Sequence, residues 1–308
     1  MFALSVIIPA RNEEWLNRTI NDILANAGGD TEVIVMRDGY IPEQPIPNNP
    51  RVRVIYHKDS IGQRESVNEG ARISQAKYVM KADAHCAFDK GFDVKLMADC
   101  EYDWTVVPMM YNLHIFDWKC MKCGRRQYQG SKPDHCPDCQ GTDLRMRHVW
   151  KSRRGTRRYQ MRFDSDLVFQ YWSERHQTAT EDLVETMSFI GACWFMHRDR
   201  YWELEGLDNK HGGWGQVGTE VSCKTWLSGG RLIVNKRTWF AHFLRTQFGW
   251  PYQISQGHID RARAYSRDLW KNNKWHKQIH NLKWLVDKFS PVPGWENYNW
   301  EDNNGNRD

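Results

Sequence analysis

The chain has 308 residues, 40% of them hydrophobic, 16 of them Trp, and a formal net charge of +5. That suits a globular protein with a sizeable core, in one large domain or two modest ones. No apolar run approaches the ~18 residues of a bilayer span. The N-terminal MFALSVIIPARNEE lacks the basic start, long apolar core and small-residue cleavage site of a secretion signal, so the expected location is the cytoplasm.

In chain order, ALSVIIPARNE reads as a buried strand ending in a turn at Pro9. EEWLNRTINDILANA follows, with Trp15, Leu16, Ile20, Ile23 and Leu24 at helical spacing and Gly28-Gly29 closing it. TEVIVMRDG is a second buried strand, the Pro-rich YIPEQPIPNNP a loop, and RVRVIYH a third strand. GQRESVNEGARISQ is a helix and AKYVMKADAH a fourth strand. This alternation predicts a parallel sheet of βαβ units. Ligands bind such sheets outside the carboxyl ends of the strands, so residues 9–12, 37–39 and 83–85 are expected to line one edge.

Two segments of different character follow, at 120–139 and 145–163. Beyond them ETMSFIGACWFMHRDRYWELEGLD reads as strand then helix, and HGGWGQVGTEVSCKTWLSGG as a Gly-rich loop opening a helix. RLIVNKRTWFAHFLR is a last strand with His242 near its end. The C-terminal part is helical and Trp-rich, and NWEDNNGNRD is expected to fray. Many Trp residues suit either a Trp-rich core or surfaces that stack on planar or sugar rings.

The first of the two segments carries Cys120-x-x-Cys123 and Cys136-x-x-Cys139. Two such pairs on tight turns aim four sulfurs at one tetrahedral cation, a structural Zn2+ site with no open coordination position and so no catalytic role. Cys86, Cys100, Cys193 and Cys223 read as ordinary buried thiols. From Trp118 to Phe163 there are 13 Lys or Arg against 3 Asp, so this stretch carries the chain's whole positive excess. Such asymmetry points to a polyanionic partner, with a solvated basic face as the plain alternative.

Taken together, SVIIPARNEE, EVIVMRDGY, the helix and strand ending in DAH, GGWGQVGTEVSCKTWLSGG and WFAHFLR stand in an order that resembles a known family. The chain resembles nucleotide-sugar glycosyltransferases of the GT-A fold, the family 2-like group, and most closely the catalytic domain of polypeptide N-acetylgalactosaminyltransferases. The resemblance implies an α/β, Rossmann-like, mostly parallel sheet flanked by helices, here with a small four-cysteine zinc-ribbon insertion. It divides the chain into a nucleotide-sugar half (1–117), ribbon plus basic insertion (118–163), an acceptor-side half (164–250) and a helical extension with tail (251–308).

It also implies a UDP-sugar donor and a divalent cation held by Asp83, His85 and His242. The plain alternatives are a strand-end cap for Asp83 and a satisfied core histidine for His242. A His-containing ligand set favours Mn2+ over Mg2+. Pro9, Ala10, Arg11 and Glu13 would shape the nucleoside pocket, and Asp38 would accept a hydrogen bond from base or ribose. Arg64 would reach a phosphate or the base, unless it is an exposed helix Arg. Arg245 would pair with the diphosphate, Gly191-Ala192 would wall the sugar, and Trp214 would border the donor. Glu220 is the expected acid near the reacting carbon, a general base in an inverting enzyme or a donor-sugar ligand in a retaining one. Glu181 and Asp182 stand in reserve. The chain departs from the resemblance at Val217, where the family carries an acid, and at Arg37, which replaces the first acid of a pair.

For the acceptor, the basic stretch interleaved with Trp150 and Tyr159 suits a phosphate backbone and an exposed base. The expectation is DNA carrying a hydroxymethylated pyrimidine, flipped out of the duplex to reach the cation. Virus-encoded DNA-modifying glycosyltransferases are of this type, which would place the protein in host cytoplasm. The alternative is a cytoplasmic glycosyltransferase acting on an envelope glycan, lipid carrier or protein, with its basic stretch on anionic headgroups. A third reading is a non-enzymatic zinc-ribbon nucleic-acid binder on a decayed transferase fold.

Overall fold

The structure, a computed structural model, describes residues 2–177, 180–245 and 252–300; the end of the tail expected to fray, 301–308, lies outside them. The first six elements are β1 (Leu4–Ala10), α1 (Leu16–Asn26), β2 (Thr31–Asp38), β3 (Val52–His57), α2 (Gly62–Ile73) and β4 (Tyr78–Ala82). These are the expected alternation, and β3-β2-β1-β4 form a parallel sheet. β1, β2 and β4 are buried almost throughout. Strands covered on both faces read as unbroken apolar runs, which is why VIIP and VIVM show no alternation. α2 lies so close to β1 that a Cβ on Gly70 would stand 2.5 Å from Ile7 Cγ2.

The chain continues through β5 (Cys86–Phe88), α3 (Phe92–Ala98), β6 (Trp104–Cys120), β7 (Arg126–Tyr128), β8 (Leu144–Arg158), β9 (Met161–Phe163) and β10 (Phe169–Tyr171). Then come β11 (Leu183–Glu185), β12 (Cys193–His197), α4 (Arg198–Glu203), α5 (Val217–Leu227), β13 (Arg231–His242), α6 (Gln256–Lys271) and α7 (Leu282–Phe289). β12 joins β4 antiparallel, and the sheet runs on through β6, β13 and β11, with β13 parallel to β6. The result is the expected α/β architecture, a parallel half extended by a mixed one. Trp194, Trp226 and Trp270 are fully buried, so part of the Trp content is core.

The sequence pattern does not reveal β6. Its first part lies between β12 and β13, and its last part runs on past them, still in the same sheet, and pairs with β8 and β7. The two segments of different character are therefore a single arm: β6 runs out, the four cysteines form the tip, and β8 returns. Pro108 hides the strand in the sequence. It sits where the β6–β13 register slips between Asn235 and Trp239, a bulge that tolerates a residue without an N–H. The arm's root packs Tyr111, Leu113, Ile115 and Phe116 against Trp15, Ala87, Ala241 and Phe243. No helix among the described residues is long and apolar enough to cross a membrane.

Candidate active site

At the carboxyl ends of β1, β2 and β4 lies a cavity of about 750 Å³. Pro9 and Ala10 end β1 and Arg11 follows it, Asp38 ends β2, and Asp83 and His85 follow β4. The Gly191-Ala192 wall faces them ahead of β12, Trp214 comes from the Gly-rich loop, and His242 ends β13. The three strand ends converge as the sheet topology requires.

Asp83, His85 and His242 each turn one ligand atom to a common point, all within 4.8 Å of one another. His242 Nε2 is 3.1 Å from Asp83 Oδ2 and 3.1 Å from His85 Nε2. β5 and β13 set this spacing, because the ladder pairs His242 with Cys86, the residue after His85. His85 Nδ1 is 2.9 Å from Glu13 Oε2, whose other oxygen is paired with Arg245. A carboxylate on Nδ1 holds the proton there and leaves the Nε2 lone pair facing the common point, the usual outer support of a metal-bound imidazole. His242 lacks that support, since its Nδ1 is buried with no partner.

Burial raises the Asp83 carboxyl, but the Lys81 ammonium and the bond from His242 outweigh it and hold Asp83 well below the usual range. Glu13 is likewise lowered despite burial, by His85 and Arg245. Burial lowers His242. An ionised carboxylate and two imidazole nitrogens form a donor set that fits a divalent transition ion.

The sequence matches the profile of glycosyl transferase family 2 over residues 5–204. The chain belongs to this family. It is 21% identical to mouse polypeptide N-acetylgalactosaminyltransferase 6 over 280 residues, covering 87% of this chain and 42% of that protein. The human protein of that name is 23% identical over 282 residues, with the same coverage. A crystal structure of GalNAc-T7 with UDP, GalNAc and Mn2+ superposes with a TM-score of 0.63 and 18% identity, covering 87% of this chain and 48% of that one. The chain thus spans under half the length of these relatives. The matched profile ends before the Gly-rich loop and His242, which the fold brings to the site.

In this glycosyl transferase family 2 chain several expected site residues are occupied elsewhere. Asp38 lines the cavity, but its carboxylate accepts from Ser60 Oγ (2.7 Å) and from the backbone N–H groups of Ile61 (2.5 Å) and Gly62 (3.2 Å). It therefore anchors the entry to α2 from the cavity wall. Glu13 lines the cavity, as expected of a pocket residue, and also backs His85. Arg64 is neither an exposed helix residue nor a cavity residue. It is 1% exposed, and its guanidinium donates to Glu220 Oε2 (3.0 Å), Gly212 O (3.0 Å) and Gly215 O (2.5 Å).

Glu220 corrects the expectation of an acid at the reacting carbon. It is fully buried and outside the cavity lining. One oxygen takes Lys224 Nζ (3.0 Å) and the Asp208 N–H (2.5 Å), and the other takes Arg64. Burial opposes ionisation, yet Lys224, His211 and Arg64 lower Glu220 to about 2. Val217 lines the cavity and supplies no acid. Glu181 and Asp182 do not line it, and Asp182 pairs with Arg237. Glu13, Asp38 and Asp83 are the carboxylates of the described lining, and each is engaged.

Two features escape a reading of the sequence. Tyr252, His258 and Arg263 line the cavity from the chain entering α6 and from α6 itself. Arg11 stacks on Tyr252, 5.2 Å from the ring centroid, which ties this wall to β1. Only the Arg and His content of α6 hints at it. Lys81, charged yet without exposed area, is the other.

At the arm's tip the four sulfurs of Cys120, Cys123, Cys136 and Cys139 lie within 4.8 Å of one another. Cys120 and Cys139 Sγ are 3.5 Å apart, Cys123 and Cys136 Sγ 3.6 Å. A disulfide needs about 2.05 Å, whereas a tetrahedron with Zn–S of about 2.3 Å separates sulfurs by about 3.8 Å. Gly124 N–H to Cys120 O and Gln140 N–H to Cys136 O close the two turns.

Proposed function

We propose that this chain is a cation-dependent glycosyltransferase that moves a sugar from a UDP-sugar to a hydroxymethylated pyrimidine in DNA. The convergence of Asp83, His85 and His242 at the carboxyl edge of the sheet carries the transferase reading. The relative solved with UDP and Mn2+ shares the fold and supports that choice of donor and ion. Asp83, His85 and His242 would hold the ion, which when bound neutralises charge on the departing diphosphate. Glu13 fixes the ring of His85, Arg245 neutralises Glu13, and Arg11 brings a further positive charge to the cavity. Gly191 and Ala192 form a wall without bulk: at Gly191, with φ of +85°, a Cβ would meet Gly218 N at 2.8 Å. With every described cavity carboxylate engaged, the reading includes no enzyme base for the acceptor proton.

The arm supports the acceptor reading. β8 exposes Arg145, Arg147, Lys151, Arg153 and Arg154. The ladders align His242 with Asn112 and Asn112 with Arg153. The Arg153 backbone therefore lies two strand spacings, about 10 Å, from the backbone of His242, which brings the basic strand toward the side of the sheet that carries this ligand. UDP release from a panel of UDP-sugars with Mn2+ tests both halves. Release from one sugar that rises only with hydroxymethylated DNA is the expected result. Equal release with unmodified DNA or none would defeat the DNA acceptor and move the envelope-glycan reading ahead. Lys151→Glu with Arg153→Glu is expected to weaken DNA binding at least tenfold at low salt. It should also flatten the slope of log K against log[salt] by about 2, as two lost phosphate contacts require.

We also assign Zn2+ to the four cysteines. Cys120 and Cys136 share their small buried cluster with Leu144 as its one other buried member, too little apolar area to fold the tip unaided. Metal analysis is expected to give about one zinc per chain. Chelation, or Cys123→Ser, should admit protease to the tip without lowering the melting temperature of the main sheet. A tip that stays resistant after zinc is stripped would refute the assignment.

A further inference from the structure

Lys81 lies on β4 with no exposed side-chain area, yet it reaches the cavity wall. Its ammonium pairs with Asp83 Oδ1 and donates to Gly191 O (2.9 Å) and Ala192 O (3.4 Å). Three acceptors engage all three ammonium protons, and two of them are backbone carbonyls, so the charge is fixed in place. Asp83 is the only anionic member of the ligand set, and Lys81 neutralises it. The neighbouring Glu13 is likewise balanced by Arg245. A dication entering this site without a nucleotide meets one carboxylate already shared with a cation, and an ammonium that cannot swing away. A nucleoside diphosphate brings the missing negative charge.

We infer that Lys81 couples the two ligands, so that the divalent ion binds weakly to the protein alone and tightly only together with the nucleoside diphosphate. The inference rests on the UDP-sugar reading above. Linkage makes the effect reciprocal: the factor by which UDP tightens the ion is the factor by which the ion tightens UDP. The site would then fill as a unit when donor is present, and free metal would not occupy it.

The test is a Mn2+ titration of the full chain, with free Mn2+ read by electron paramagnetic resonance, with and without UDP. In the native chain UDP is expected to tighten Mn2+ by at least roughly tenfold. Lys81→Gln keeps a donor for the carbonyls and removes the charge. It is expected to bind Mn2+ without UDP roughly tenfold more tightly than the native chain, with a smaller effect of UDP. A Lys81→Gln chain that binds Mn2+ no better than the native one overturns the inference. So does a native chain whose Mn2+ affinity is unchanged by bound UDP, a measurement that needs no variant. UDP that fails to bind in the presence of Mn2+ overturns the donor reading, and this inference with it.

Discussion

Asp83→Asn is expected to lower sugar transfer by roughly three orders of magnitude. The amide keeps the shape of the side chain and still offers an oxygen to His242 Nε2, 3.1 Å away in the native chain. It removes the one negative charge in the ligand set. The variant also leaves the Lys81 ammonium with only two carbonyl partners, at a cost of about 1–3 kcal/mol of stability. The two effects separate on measurement. Transfer per folded molecule and Mn2+ affinity should collapse together, while urea unfolding shows a modest loss. A variant that keeps a tenth of native turnover would remove Asp83 from the ion site. The pH dependence carries a sign. Asp83 is held below its unfolded value near 4, so its contribution to stability is complete above that value. It is lost only as pH falls through the lower folded value. Asp83 is therefore ionised throughout the neutral range, and an acid loss of activity near pH 6 would have to come from another group.

The parallel half of the sheet is legible because VIIP, VIVM and YVM are apolar runs bounded by turn residues, and burial on both faces produces such runs. Once those strands are placed, topology alone brings Pro9, Asp38 and Asp83 to one edge. The family resemblance supplies the roles proposed for His85 and His242. Depth is not legible. From the sequence Arg64 reads as a phosphate ligand or an exposed helix residue and Glu220 as an acid at the reacting carbon, and spacing does not reveal that they satisfy one another beneath the Gly-rich loop. Nor does spacing show that Asp38 accepts hydrogen bonds from the backbone of residues 61 and 62. The arm reads as two segments because its strands lie far apart in the chain and Pro108 interrupts the first. Its charges can be counted from the sequence, but their alignment along one strand leading to the ion site needs the ladder.

Glu220→Gln separates the catalytic expectation for that residue from the structural one. A catalytic base loses about 10²- to 10⁴-fold in rate on neutralisation, with little change in stability. The geometry gives the opposite expectation. Removing the charge leaves Arg64 and Lys224 as buried cations without their shared anion, at about 3–5 kcal/mol. That corresponds to a fall in melting temperature on the order of 10 °C. Transfer per folded molecule should fall by less than about tenfold. What loss there is would come through the loop carrying Trp214, which Arg64 ties down at Gly212 and Gly215. The pH dependence is a second, independent check. Glu220 is lowered from 4.5 to about 2, so the native chain holds this stabilisation in full above about pH 4.5 and loses it as pH falls toward 2. The glutamine variant has no such group. The stability gap between the two chains, followed by urea unfolding, should therefore be widest at neutral pH and narrow steadily below pH 4.5. A stability gap near zero at every pH, joined to a thousandfold rate loss, would return Glu220 to the reaction and require the loop to open during turnover.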